Sequence, residues 1–188
     1  MNNAKHLFAR CLATYEQSGA ESISAMVPQL IEAIEEHPGW KNYRAFLTDV
    51  LIDLESYEKA IELLLLTIDS TPPCDIDYNM LGFCYWELNR LNLAYPAYVK
   101  SVEINPENVP SLRGACFLAI ELGRHDEAVD YCGRFHATSP SGRKEILWYA
   151  IALWWSGTGI NKREALRLID ESPLDMGLRA EFHEAIAG

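Results

Sequence analysis

Five histidines and five cysteines are the side chains of this 188-residue chain best suited to acid–base, nucleophilic or metal chemistry. Their spacing argues against all three. His6, His37, His125, His136 and His183 include no HExxH and no pair four residues apart, so no helix face offers two imidazoles to one metal ion. His125 precedes Asp126 at a helix start, where capping or solvent contact is the expected role. Cys11, Cys74, Cys84, Cys116 and Cys132 are scattered, odd in number and without a CxxC pair. They read as free thiols in a reducing cytosol rather than as a disulfide framework. No GxSxG, Walker-type or GxGxxG loop occurs, and SGTG at Ser156–Gly159 follows a helical stretch, so it reads as a turn. The expectation is no enzyme, no cofactor and no metal. What remains is the chemistry of contact, because the chain carries five tryptophans and tryptophan is enriched where partners anchor.

The elements that must position those aromatics repeat. Pro38, Pro72, Pro106 and Pro140 lie 34 residues apart, the period of a two-helix repeat. Other columns keep the step: Ala60, Ala94 and Ala128; Leu47, Leu81 and Ala115; and the small residues Thr14, Thr48, Gly82, Cys116 and Ala150. A small residue on the first helix lets the second approach, while Tyr85, Leu51, Leu64 and Tyr98 fill the space between units. Each proline ends a second helix, because it cannot continue the hydrogen-bond ladder. Pro28 and Pro96 share one register position and are expected to kink a second helix or delay its start. Asp75 and Asn108 are placed to cap the helices that follow them. The last second helix, near Lys162–Glu171, is expected to begin about three residues late.

With Tyr78, Leu81, Gly82, Tyr85, Ala94, Tyr98 and Pro106 at the signature positions, the chain resembles the tetratricopeptide repeat (TPR) family. An aromatic stands for the usual first tryptophan, and Ser101 for an alanine. The implied fold is all-α: an α-solenoid of stacked antiparallel helix pairs in a right-handed superhelix. One domain spans 1–188, with units of about 7–40, 41–74, 75–108, 109–142 and 143–173, and a capping helix at about 175–187. The family's register implies an inner surface made by the first helices. On it would lie a peptide-binding groove of Asn79, Phe83, Trp86, Arg113, Phe117, Ile120, Leu147, Ile151 and Trp154, following Asn42, Ala45, Asp49 and Ile52 of an earlier unit. Some members clamp a terminal carboxylate with Asn, Lys and Arg, but the matching positions here carry Asp49, Phe83 and Phe117, with only Arg113 basic.

Composition restricts the partner. A net charge of −11 excludes a broad basic footprint for nucleic acid and disfavours anionic membrane surfaces. No apolar run approaches a signal-peptide core or a membrane span, so no membrane insertion is expected and the expected place is cytoplasmic. The function these features imply is a non-catalytic scaffold, adaptor or chaperone-like, that holds an apolar peptide or amphipathic helix in its concave groove. The alternative is a structural subunit that uses the same surface to homodimerise or to dock in a larger complex.

Overall fold

The structure, a computed structural model, describes residues 2–37, 39–172 and 174–187. Among the described residues there are eleven α-helices, one 3-10 helix and no strand. The chain begins with α1 (Asn2–Ser18), a 3-10 segment (Ala20–Met26) and α2 (Val27–Glu36). Four helix pairs follow: α3 (Lys41–Asp53) with α4 (Tyr57–Ser70), α5 (Asp75–Glu87) with α6 (Leu91–Ile104), α7 (Val109–Glu121) with α8 (His125–Thr138), and α9 (Arg143–Trp155) with α10 (Gly159–Glu171). A last helix, α11 (Met176–Ala187), packs on α9. The pairs are antiparallel and each stacks on the next, forming an α-solenoid with α11 as its cap.

From Lys41 onward the first helices start at 41, 75, 109 and 143 and the second at 57, 91, 125 and 159, an unbroken 34-residue step. The expected late start of the last second helix is therefore corrected. Thr158 caps α10 by accepting a hydrogen bond from the Asn161 N–H at 3.1 Å, which starts the helix on time. Pro72, Pro106 and Pro140 stand two residues beyond the ends of α4, α6 and α8, while Pro38 lies outside the described residues. Pro28 occupies the first turn of α2, so that second helix starts late behind the 3-10 segment; Pro96 sits inside α6.

Each pair turns at one left-handed residue: Glu55, Asn89, Gly123 and Gly157, with φ of 53°, 55°, 66° and 81°. In the first three turns the next N–H reaches back five residues, Ser56 to Leu51, Arg90 to Tyr85 and Arg124 to Ala119, each at 2.8 Å. These bonds satisfy carbonyls that a helix end otherwise leaves open.

The closest helix approach centres on Tyr98 of α6. A Cβ added to Gly82 of α5 would stand 2.9 Å from its ring, and one added to Gly114 of α7 would stand 2.7 Å from it. Two glycines on successive first helices therefore hold one aromatic ring between them. One step later, Cys116 of α7 and Cys132 of α8 occupy the places of Gly82 and Tyr98 and are joined by a disulfide, with Cα atoms 4.8 Å apart. This corrects the expectation of five free thiols: the close contact that the repeat demands brings two of them into bonding range. Cys11, Cys74 and Cys84 are free, and burial pushes the Cys84 thiol up to about 12.

The serine that replaces an alanine has a partner network. Asn79 donates to the Ser111 hydroxyl at 2.8 Å, Ser111 to Ser101 at 2.6 Å, and Ser101 to the Asp75 carbonyl at 2.7 Å. Ser101 and Ser111 are fully buried, so the chain of bonds satisfies what would otherwise be costly polar groups. Asn108 caps α7, accepting from the Ser111 N–H at 3.0 Å. Asp75 is not the cap of α5, a place taken by Cys74. Its carboxylate instead accepts from Asn105 and Asn108, both at 2.8 Å.

Candidate protein-interaction cleft

Five of the nine groove residues read from the sequence come together in one cleft. Asn79, Phe83 and Trp86 of α5 face Arg113 and Phe117 of α7 around a space of about 380 Å³. Tyr98, Pro110, Gly114, Leu118, Lys144 and Trp148 complete the lining. The cleft exists because α5 and α7 present the same stripe toward one side, while α9 closes it with Lys144 and Trp148 from the neighbouring columns, each pair four residues apart. Its aromatics form a row: Trp86 lies 5.7 Å from Phe117, and Phe117 lies 5.6 Å from Trp148. Trp148 continues the row to Phe135, at 6.0 Å. Trp86 is 38% exposed, a large apolar ring left open to solvent.

The other four residues are placed differently. Leu147 and Ile151 are 1% and 7% exposed and belong to the core between α9, α10 and α11, so they do not face an open groove. Ile120 is half-buried between that core and the one around α7 and α8. Trp154 is half-buried against Phe182 of α11, ring centroids 6.2 Å apart, with Lys162 5.0 Å above its ring. For the three residues of α9 the physical reason is shared: α11 lays Leu178, Phe182 and Ile186 on the surface that a further repeat would otherwise cover. On α9 the open residues are therefore Lys144 and Trp148 rather than Leu147, Ile151 and Trp154.

Sequence reasoning missed Lys144, Pro110 and Trp148 as lining residues. A signal was present, because Pro110 and Lys144 share one column and Gly114 and Trp148 another. Arg113 and Lys144 are both exposed, and no carboxylate lines the cleft with them. On the Tyr98 phenol, burial acts first and raises its pKa, while the nearby Arg113 opposes the shift. A second cleft of about 620 Å³ lies at the amino-terminal end, lined by Phe8, Leu12, Trp40, Asn42, Tyr43 and Phe46 among others. Of the earlier unit's expected inner residues, Asn42 lines it, while Ala45 and Asp49 are exposed and do not.

Among the described residues no helix is long and apolar enough to cross a membrane. The family model described as a tetratricopeptide repeat matches residues 78–108. No curated protein matches the chain at a significant level. Among solved structures, MamA superposes with a TM-score of 0.76 at 14% identity, covering 100% of this chain and 96% of that one. YrrB, described as a TPR protein with an unusual peptide-binding site, superposes with a TM-score of 0.70 at 16% identity, covering 94% of this chain and 97% of its own. A second MamA form is 20% identical, with a TM-score of 0.70. At these identities the likeness establishes the fold. Residues 78–108, with their two helices, left-handed Asn89 turn and terminal Pro106, are a tetratricopeptide repeat, and the chain has the right-handed superhelical fold of tetratricopeptide-repeat proteins.

Proposed function

We propose that this protein is a scaffold that holds an apolar segment of a partner protein, a peptide or an amphipathic helix, in the cleft between Phe83 and Trp148. Tetratricopeptide-repeat folds are in general non-catalytic protein–protein interaction modules, and the fold supports that coarse role here. The observation that carries the finer reading is the aromatic row, in which Trp86 is exposed and Phe117 and Trp148 are half-buried. Trp86, Phe117 and Trp148 stand at centroid spacings of 5.6–5.7 Å, in a concave space large enough for one or two apolar side chains. Open apolar surface of this kind marks interaction sites. Trp86 and Phe117 are the anchors, Phe83 and Trp148 the walls, and Asn79 is oriented by its bond to Ser111. An adaptor or chaperone-like role in the cytoplasm completes the reading. The three free cysteines favour that compartment, and the Cys116–Cys132 bond is the observation against it.

The test uses an array of amphipathic 15-residue peptides presented to the intact protein and to Trp86→Ala. Binding to apolar peptides should fall by about 2 kcal/mol or more in the variant, the size of an anchoring contact. Its melting temperature should stay within a degree or two of wild type. Equal binding by both proteins would remove the cleft from consideration. Light scattering at rising concentration separates this reading from homodimerisation, which predicts a dimer that Trp86→Ala weakens.

A further inference from the structure

We propose that the segment held in this cleft presents an acidic side chain, internal to its sequence and next to its apolar anchor, to Arg113 and Lys144. The inference rests on the reading of the cleft as a peptide site and names the chemistry of its occupant.

The argument begins with charge. The chain carries 27 acidic and 16 basic residues, yet the cleft is lined by two cations and no carboxylate. Neither Arg113 nor Lys144 is in an ion pair among the described residues, so both charges are available to a ligand. They stand in the first two turns of α7 and α9, where the helix dipoles add to the positive potential. At the opposite ends of α5 and α7 stand the exposed carboxylates of Glu87 and Glu121, so the cleft has a positive edge at Arg113 and Lys144, with Glu145 just outside it, and a negative edge opposite. A partner that sets an acid against the first edge gains charge-assisted contacts, and the second edge rejects the reversed orientation.

The acid is a side chain rather than a chain end because the cations do not close the cleft. Pro110, Arg113, Lys144 and Trp148 also line an adjoining cleft of about 570 Å³ that reaches Phe135 and Leu178, where Glu145 and the Asp175-paired Arg143 join the lining. Arg113 and Lys144 thus stand midway along a continuous surface, and a bound chain can run past them on both sides.

Three fluorescein-labelled 14-residue probes share the same Leu, Phe and Trp anchors. The first has Glu flanks and an amidated end, the second Lys flanks and an amidated end, and the third neutral flanks with a free terminal carboxylate. Fluorescence anisotropy is measured with the intact protein, with an Arg113→Glu and Lys144→Glu double variant, and with Trp86→Ala. The Glu probe should bind the intact protein about tenfold more tightly than the Lys probe, against the repulsion of a net charge of −11. That ratio should shrink toward one in 0.5–1 M salt and invert in the double variant. Equal affinities, a preference for Lys, or a preference that survives both salt and charge reversal would overturn the proposal. Tighter binding of the free-carboxylate probe would overturn the internal placement. Should Trp86→Ala abolish binding of Glu and Lys probes that bound equally, the site stands and the charge inference fails. If no probe binds, both fail. A dimer that Trp86→Ala dissociates assigns the cleft to a second copy and overturns the proposal as well.

Discussion

Phe182 of α11 meets Trp154 of α9 edge to face, with ring centroids 6.2 Å apart and planes at 84°. This contact closes the carboxy-terminal end of the aromatic surface, and Phe182 has no exposed area at all. Phe182→Ala should therefore cost about 3–5 kcal/mol, the usual range for emptying a buried aromatic site. Trp154 should become more exposed, with a red shift in tryptophan emission. A variant that melts like wild type would show that α11 is not docked in solution. Leu147→Ala, beneath the same helix, should cost about 2–5 kcal/mol, whereas Trp86→Ala should leave stability nearly unchanged.

Tyr98 sets a second expectation. Its ring leaves no room for a side chain on Gly82, so Gly82→Leu should destabilise the protein by about 3 kcal/mol through forced displacement of α5 or α6. The control is Glu58→Gln. It removes a two-point contact with Arg90, at 2.6 and 3.0 Å, between side chains that are both exposed. A surface pair of this kind contributes at most about 1 kcal/mol. Equal shifts in thermal melts of the two variants would show that Tyr98 does not pack on Gly82.

The Cys116–Cys132 bond closes a short loop, with a sequence separation of 16. Restricting the unfolded chain over such a loop stabilises by about 3 kcal/mol. Melting with and without a reductant should show this difference. Thiol titration of the unfolded protein should count three free cysteines before reduction and five after. Five thiols at the outset, in protein alkylated during lysis, would mean that the pair is kept reduced where the protein works.

Acid should act through Asp75. Side-chain hydrogen bonds from Asn108 and then Asn105 hold its carboxyl below the usual range. A folded value below the unfolded one of about 3.9 means that the contribution is complete at neutral pH and is lost as pH falls through the folded value. Asp75→Ala should thus melt below wild type at pH 7. The gap should close as the pH is taken down through the carboxylate range. A gap that stays constant with pH would show that the Asn105 and Asn108 contacts do not depend on charge.

The repeat is a local property, and the sequence determined it unaided. Proline stops, small-residue columns and turn positions recur every 34 residues because each helix pair solves the same packing problem. The helix starts from Lys41 to Gly159 follow that step without a break. The stripe of Asn79, Phe83, Trp86, Arg113 and Phe117 was legible only through the register of the family that the chain resembles, and helical spacing then keeps those side chains on one face. Tertiary structure alone decided where the stripe ends. Nothing in the register of Leu147, Ile151 and Trp154 says that α11 folds back over them, because that depends on a helix outside the period finding an uncovered apolar surface. The Cys116–Cys132 bond was equally hidden. Both residues sit in columns that call only for a small or a large filler, and whether two sulfurs meet depends on the distance between helices, which a one-dimensional pattern does not contain.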